Sequence, residues 1–197
     1  MIIALVGRRA SRPGARPQRF PESRIDAVCG RLETLFREVG ATALVGSGAC
    51  GADLLAMDAA GALGLERRMV LPFDRARFRA CSVADADYQR DWGALFDCIA
   101  DEVESRGGLI VLGGDGESDD DTYAAANRAI LDEAQRLARG APAGTGRDPR
   151  SGVLAVLVWD GQSRGEGDLT ENFAREATAR GLPVSQVLTR GDDLPPA

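Results

Sequence analysis

The chain predicts an α/β fold: a doubly wound, mostly parallel sheet of about six strands in a three-layer α/β/α arrangement. Three observations carry that expectation. Several short apolar runs lack the in-out alternation of a half-exposed strand, which suits strands buried on both faces. Stretches with the 3.6-residue period of an amphipathic helix separate them. The connections are short, and right-handed crossovers between such units lay the strands parallel.

Residues 2–6, Ile-Ile-Ala-Leu-Val, form the first strand and end at Gly7. A Pro- and Arg-rich loop follows. Ser23 offers an N-cap, and Ile25, Val28, Cys29, Leu32, Leu35, Phe36 and Val39 make a helical stripe closed by Gly40. Residues 43–45 are the second strand, and the glycine turn 46–51 runs into a helix beginning Ala52-Asp53-Leu54. Residues 69–71 make the third strand, stopped by Pro72. After an Arg-rich loop, Tyr88, Trp92, Leu95, Phe96, Ile99 and Val103 mark a long helix. Residues 109–112 are the fourth strand, followed by Gly113-Gly114 and an acidic loop. Tyr123, Ile130, Leu131, Ala134 and Leu137 give a helix ended by Gly140. Residues 141–151 read as a mobile connector, and 153–158 as a central strand closed by Trp159-Asp160-Gly161. A second glycine loop spans 161–167, a helix runs over 169–180, and Gly181 and Pro183 precede a last strand at 184–188. The whole reads as one domain over 1–190 with a loose tail at 191–197.

Composition narrows the chemistry. All 24 basic residues among the 197 are arginine; there is no lysine and no histidine. That removes Ser-His-Asp and Cys-His nucleophiles, histidine metal sites, and Schiff-base or P-loop lysines. A chain of this length buries about 70% of its unfolded surface and needs no covalent staples. Cys29, Cys50, Cys81 and Cys98 show no CxxC spacing, so neither zinc nor a disulfide framework is expected, and a reduced cytoplasmic setting fits. The opening apolar run is too short for a signal segment, and no stretch approaches the 18 residues of a membrane span. The net charge of −6 argues against non-specific nucleic-acid binding. Arg8, Arg9, Arg12, Arg16 and Arg19 nevertheless crowd the start of the chain, as Asp115, Glu117, Asp119, Asp120 and Asp121 crowd a later loop; two solvated loops of opposite sign is the plainer reading.

In a sheet of this kind ligands bind beyond the carboxyl ends of the strands, where helix N-termini favour anions. Gly7-Arg8-Arg9, the segment 46–53 and the segment 159–167 all map to that edge. Gly46, Gly48 and Gly51 satisfy a G-x-G-x-x-G spacing, but no acid stands at the end of the next strand, and the loop lies in the second βα unit, so a dinucleotide redox site is disfavoured. Arg67, Arg68, Arg75, Arg77 and Arg79 can clamp a polyphosphate or simply offset the acidic helix that follows. The 115–121 carboxylates suit a divalent cation or an exposed acidic loop, the latter being favoured. Cys50, at a helix N-terminus without a histidine partner, reads as small-residue filler. Trp159 reads as core, with a base stacked on it as the other reading.

The run Gly46-Ser47-Gly48-Ala49-Cys50-Gly51-Ala52-Asp53-Leu54-Leu55-Ala56, then Val70-Leu71-Pro72-Phe73, and Trp159-Asp160-Gly161 ahead of a glycine loop and Arg180-Gly181-Leu182-Pro183-Val184, resembles the SLOG superfamily over nearly the whole chain. That group of Rossmann-like domains includes the Lonely Guy phosphoribohydrolases, the DNA-processing protein A family and nucleotide-sensing domains. The resemblance implies a nucleotide or nucleotide-sugar pocket. Gly7 and Arg8 would hold one phosphate and Gly46, Ser47, Gly48 and Gly51 another, with Asp160, Gly161, Arg164, Gly165 and Gly167 closing the site. Asp53 then accepts from a ribose hydroxyl or caps its helix. The enzyme branch carries Pro-Gly-Gly-x-Gly-Thr-x-x-Glu. Here Gly165, Gly167 and Glu171 match, while Ser163, Arg164 and Asp168 replace the Pro, the first Gly and the Thr. Asp168 would repel a phosphate unless Arg164 compensates, and Asp168 with Glu171 also makes a good helix start, so Glu171 leans structural.

The first expectation is therefore a cytoplasmic sensor-type domain that binds a nucleotide or nucleotide-derived molecule. It requires no cofactor, a divalent cation with the nucleotide being the one candidate, and is expected as a homodimer or higher homo-oligomer without membrane contact. The alternative is an N-glycosidase cleaving a base from a nucleoside monophosphate, with Glu171 catalytic. A third is single-stranded DNA binding; nucleic acid is otherwise not an expected partner.

Overall fold

A computed structural model describes residues 1–83, 88–113, 119–140 and 152–190. Its six strands, β1 (Ile2–Gly7), β2 (Ala43–Gly46), β3 (Glu66–Leu71), β4 (Leu109–Val111), β5 (Val153–Trp159) and β6 (Val184–Leu188), form one parallel sheet in the order β4-β3-β2-β1-β5-β6. The expected doubly wound α/β architecture is what the chain adopts. In β1, Ile3 and Leu5 enter one apolar cluster and Ile2, Ala4 and Val6 the other, which is why the strand has no polar face.

Helices α1 (Ile25–Glu38), α2 (Ala52–Ala62), α3 (Arg75–Ser82) and α4 (Trp92–Ser105) supply the first cluster; α5 (Asp119–Gly140) and α6 (Leu169–Ala179) supply the second. Helix α2 is apolar on nearly every side because it is walled in by the sheet, α1 and α4. None of the described helices is long and apolar enough to cross a membrane.

Four local expectations change. The Arg-rich loop after β3 is the helix α3, capped by Asp74, which accepts from the Arg77 amide, and anchored by the buried Phe78. Two of its arginines turn to carboxylates of the following helix. Arg75 reaches Asp101 at 2.6 Å and Glu104 at 3.2 Å, and Arg79 holds Asp97 at 2.9 Å, so they neutralise the acidic face of α4. Tyr88 precedes its expected helix: α4 starts at Trp92, where Asp91 caps it through the Ala94 amide, and the Tyr88 hydroxyl donates to Ala10 O at 2.9 Å. Ser23 is no N-cap, for it sits in the short 3-10 turn Glu22–Arg24 that leads into α1. Finally, β5 is interior but one place from the edge, between β1 and β6. Asp115 and Glu117, the side chain of Asp119, the connector 141–151 and the tail 191–197 lie outside the described residues.

The strand order reverses at β1. Strands β2, β3 and β4 step away to one side, then α5 carries the chain back across the sheet so that β5 and β6 add on the other. Such a switch point splays the loops that follow β1 and β5 and leaves a crevice above them.

Candidate functional site

A cleft of about 480 Å³ opens at that point. Gly7, Arg8 and Arg9 enter it from the end of β1, Ser47 and Ala49 from the end of β2, and Asp53 from the first turn of α2. Asp120, Tyr123 and Asn127 come from α5, and Arg164 and Glu166 to Thr170 from the loop into α6. The volume lies within the roughly 300–1,000 Å³ range of small-molecule sites.

The glycines here serve contacts within the protein. A Cβ on Gly7 would stand 2.4 Å from Ala52 Cβ and 2.6 Å from Val158 O, so this glycine lets α2 and β5 close onto β1. Gly51 has φ +105°, and a Cβ there would meet Ala10 N at 2.3 Å. A side chain at Gly48 would strike the Phe96 ring, and one at Gly46 would press on Leu5 O. The G-x-G-x-x-G spacing is therefore accounted for by packing. Gly161, Gly165 and Gly167 all have positive φ and turn the chain from β5 to α6.

Arg8, 3% exposed, is the hub of the β5–α6 loop. Its Nε donates to Asp160 at 3.3 Å, and its two terminal nitrogens donate to Asp168 at 2.8 and 2.7 Å. The remaining N–H groups reach Thr170 Oγ1 at 3.4 Å and Gln162 O at 2.7 Å. All five guanidinium donors are thus committed within the protein. Asp160 also accepts from Arg19 at 2.7 Å. Asp168 accepts in addition from the amides of Arg164 at 2.7 Å, Thr170 at 2.9 Å and Glu171 at 3.3 Å. Burial alone would raise the Asp168 pKa, but Arg8 and these amides overcome it and hold the carboxyl at about 2. The N-terminus of α6 already carries an anion, supplied by the chain, and its counter-ion is Arg8, not Arg164 as the sequence suggested.

Asp53 is the opposite case. It is 8% exposed and lines the cleft, yet its Oδ1 has no hydrogen-bond partner. It does not cap α2, whose N-cap is Gly51 without a side-chain bond. Burial pushes its pKa up to about 7; the nearby Ala49 and Gly7 amides and the charge of Arg9 offset this only in part.

Two further cations reach the cleft. Arg9 is braced, donating to Ser82 Oγ at 2.9 Å and Cys81 O at 3.2 Å, and Ser82 Oγ lies 2.7 Å from the Tyr123 hydroxyl. The guanidinium of Arg164 has no partner among the described residues. Its pKa is lowered by desolvation and by the like charge of Arg8, and an anion beside it would counter that charge.

Glu171 does not line the cleft. Its carboxylate accepts from Ser163 Oγ and, at 2.8 Å, from Arg175 on the outer side of α6, and those bonds lower its pKa. Trp159 is half-buried with its indole N–H on Gln186 at 2.9 Å and Arg8 5.5 Å from its ring, and Cys50 is buried against Tyr88. Tyr123 and Asn127 were visible in the sequence only as part of a helix. Nothing local told that α5 would cross from the β4 edge to the switch point.

No family model and no curated protein sequence matches this chain. Among solved structures it is similar to DNA processing protein A from Streptococcus pneumoniae, with a TM-score of 0.40 and 16% identity over 93% of this chain. The match spans 57% of that chain, and a likeness this distant carries no argument about function.

Proposed function

We propose that the chain binds a nucleotide or nucleotide-derived small molecule in the switch-point cleft. One observation carries the reading: the cleft sets the exposed guanidinium of Arg164, without a protein partner among the described residues, beside the buried, partnerless Oδ1 of Asp53, with the exposed carboxylates of Asp120 and Glu166 also on its lining. A ligand that is anionic at one end and rich in hydrogen-bond donors at the other answers both. Phosphate is assigned to Arg164 and Arg9, because the N-terminus of α6 is filled by Asp168. The half-buried ring of Tyr123 on the cleft lining is the aromatic surface available to a base.

Thermal-shift screening against nucleoside mono- and diphosphates tests this. A ligand at 100 times its Kd adds about 2.7 kcal/mol, a rise of roughly 5–10 °C for a domain of this size. The Arg164→Ala variant should lose most of that rise. No shift with any nucleotide would overturn the proposal, and retention of single-stranded DNA that weakens steeply with salt would favour a nucleic-acid partner in its place. The hydrolytic reading through Glu171 draws no support from that residue's position, since Ser163 and Arg175 occupy its carboxylate outside the cleft.

A further inference from the structure

We infer that Asp53 makes the cleft selective for ligands with a free ribose hydroxyl edge over their deoxygenated counterparts, by accepting a hydrogen bond from that edge. The inference rests on the nucleotide reading above and adds to it the sugar class and the residue that reads it.

A polar atom buried without a partner is rare and costly, and this one lies on the lining of a cleft, where a hydrogen-bond donor that enters can answer it. The chemistry of what enters is restricted. A phosphate is excluded at Asp53 whenever the carboxyl is ionised, because two anions would be forced together. A metal ion would need further ligands, and no group of three potential ligands converges among the described residues. An uncharged hydroxyl fits either state of the group: the carboxylate accepts from it, and the neutral carboxyl still offers its carbonyl oxygen. Among the parts of a nucleotide, the phosphate is answered by Arg164 and Arg9, and the base finds the half-buried ring of Tyr123. The hydroxyl edge of the sugar is the part left for the acid floor. A site built around a buried polar group rejects an analogue that leaves it unpaired far more strongly than an apolar pocket rejects an extra atom.

The test compares binding of AMP, GMP, CMP and UMP with that of their 2′,3′-dideoxy counterparts, by calorimetry on the full chain and on Asp53→Ala and Arg164→Ala. The wild type should favour the best-bound ribonucleotide by at least about tenfold over its dideoxy form, as expected for a hydrogen bond to a charged group. In Asp53→Ala that ratio should fall to near one, while Arg164→Ala should weaken both members alike and keep the ratio. Asp53→Asn, which retains an acceptor oxygen, should give an intermediate ratio and serves as the folded control if the alanine variant is unstable. Equal binding of the two sugars by the wild type, or an undiminished ratio in Asp53→Ala, overturns this inference and leaves the nucleotide reading standing. Failure of every nucleotide to bind overturns both.

Discussion

Replacing Asp53 by asparagine should stabilise the unliganded protein at neutral and alkaline pH, although the wild-type residue is buried in the native fold. The Asp53 carboxyl has its pKa raised from 3.8 to about 7, mainly by burial. A group whose folded pKa lies above its unfolded value binds more protons in the folded state between the two. Its ionisation therefore costs the native state nothing below about pH 4. The cost grows as pH rises through the window and levels off above about pH 7. Three units at about 1.4 kcal/mol each set an upper value of roughly 4 kcal/mol. The asparagine amide must itself be desolvated, which leaves a net gain of about 2 kcal/mol, or some 4–8 °C in Tm for a domain of this length. The assay is chemical denaturation of both proteins from pH 4 to 8.5. The variant should be less stable by about 2 kcal/mol near pH 4, where only the amide's desolvation counts, and the curves should cross and leave it more stable by about 2 kcal/mol at pH 7.5. A separation that does not change with pH, or a variant less stable than wild type at pH 8, would refute the claim that burial without a partner governs Asp53. The expected combination of higher stability and a lost ligand contact is the usual mark of a residue kept for function.

Asp168→Ala should cost about 3–5 kcal/mol, since it strands the buried Arg8 and uncaps α6. Inorganic phosphate should restore part of that loss by entering the vacated position, and denaturation with and without 50 mM phosphate, at ionic strength matched with chloride, reads the difference. Glu171→Ala should shift stability by less than about 1 kcal/mol and leave nucleotide binding unchanged, because only surface partners are lost. Gly7→Ala should destabilise by about 1–3 kcal/mol, as its Cβ would stand 2.4 Å from Ala52 Cβ; equal stability would show that β1 and α2 can move apart freely.

The order of strands and helices was legible in the chain because each element buries an apolar pattern set by its own period. Ile2 to Val6 must be covered on both sides wherever they lie, and the stripe from Ile25 to Val39 must turn one face inward. Arg75 to Ser82 escaped that logic, for a short helix rich in arginine has a weak apolar stripe, and its stability comes from the Asp74 cap, from Phe78 and from carboxylates on α4.

Of the loops that motif and spacing singled out, Gly7, Arg8, Ser47, Asp53, Arg164 and Gly167 line one cleft, while Gly46, Gly48, Gly51, Asp160, Gly161 and Gly165 do not. What each does there was not encoded locally. Arg8 had the look of a phosphate ligand, yet its five donors end on groups from residues 160 to 170. Asp53 had the look of a helix cap, yet the fold leaves its Oδ1 alone. A sequence determines which faces must be buried, since hydrophobic burial is non-directional and follows from pattern. Whether a charge inside is answered or left waiting depends on ångström-scale pairing between distant segments, and only the tertiary structure decided that.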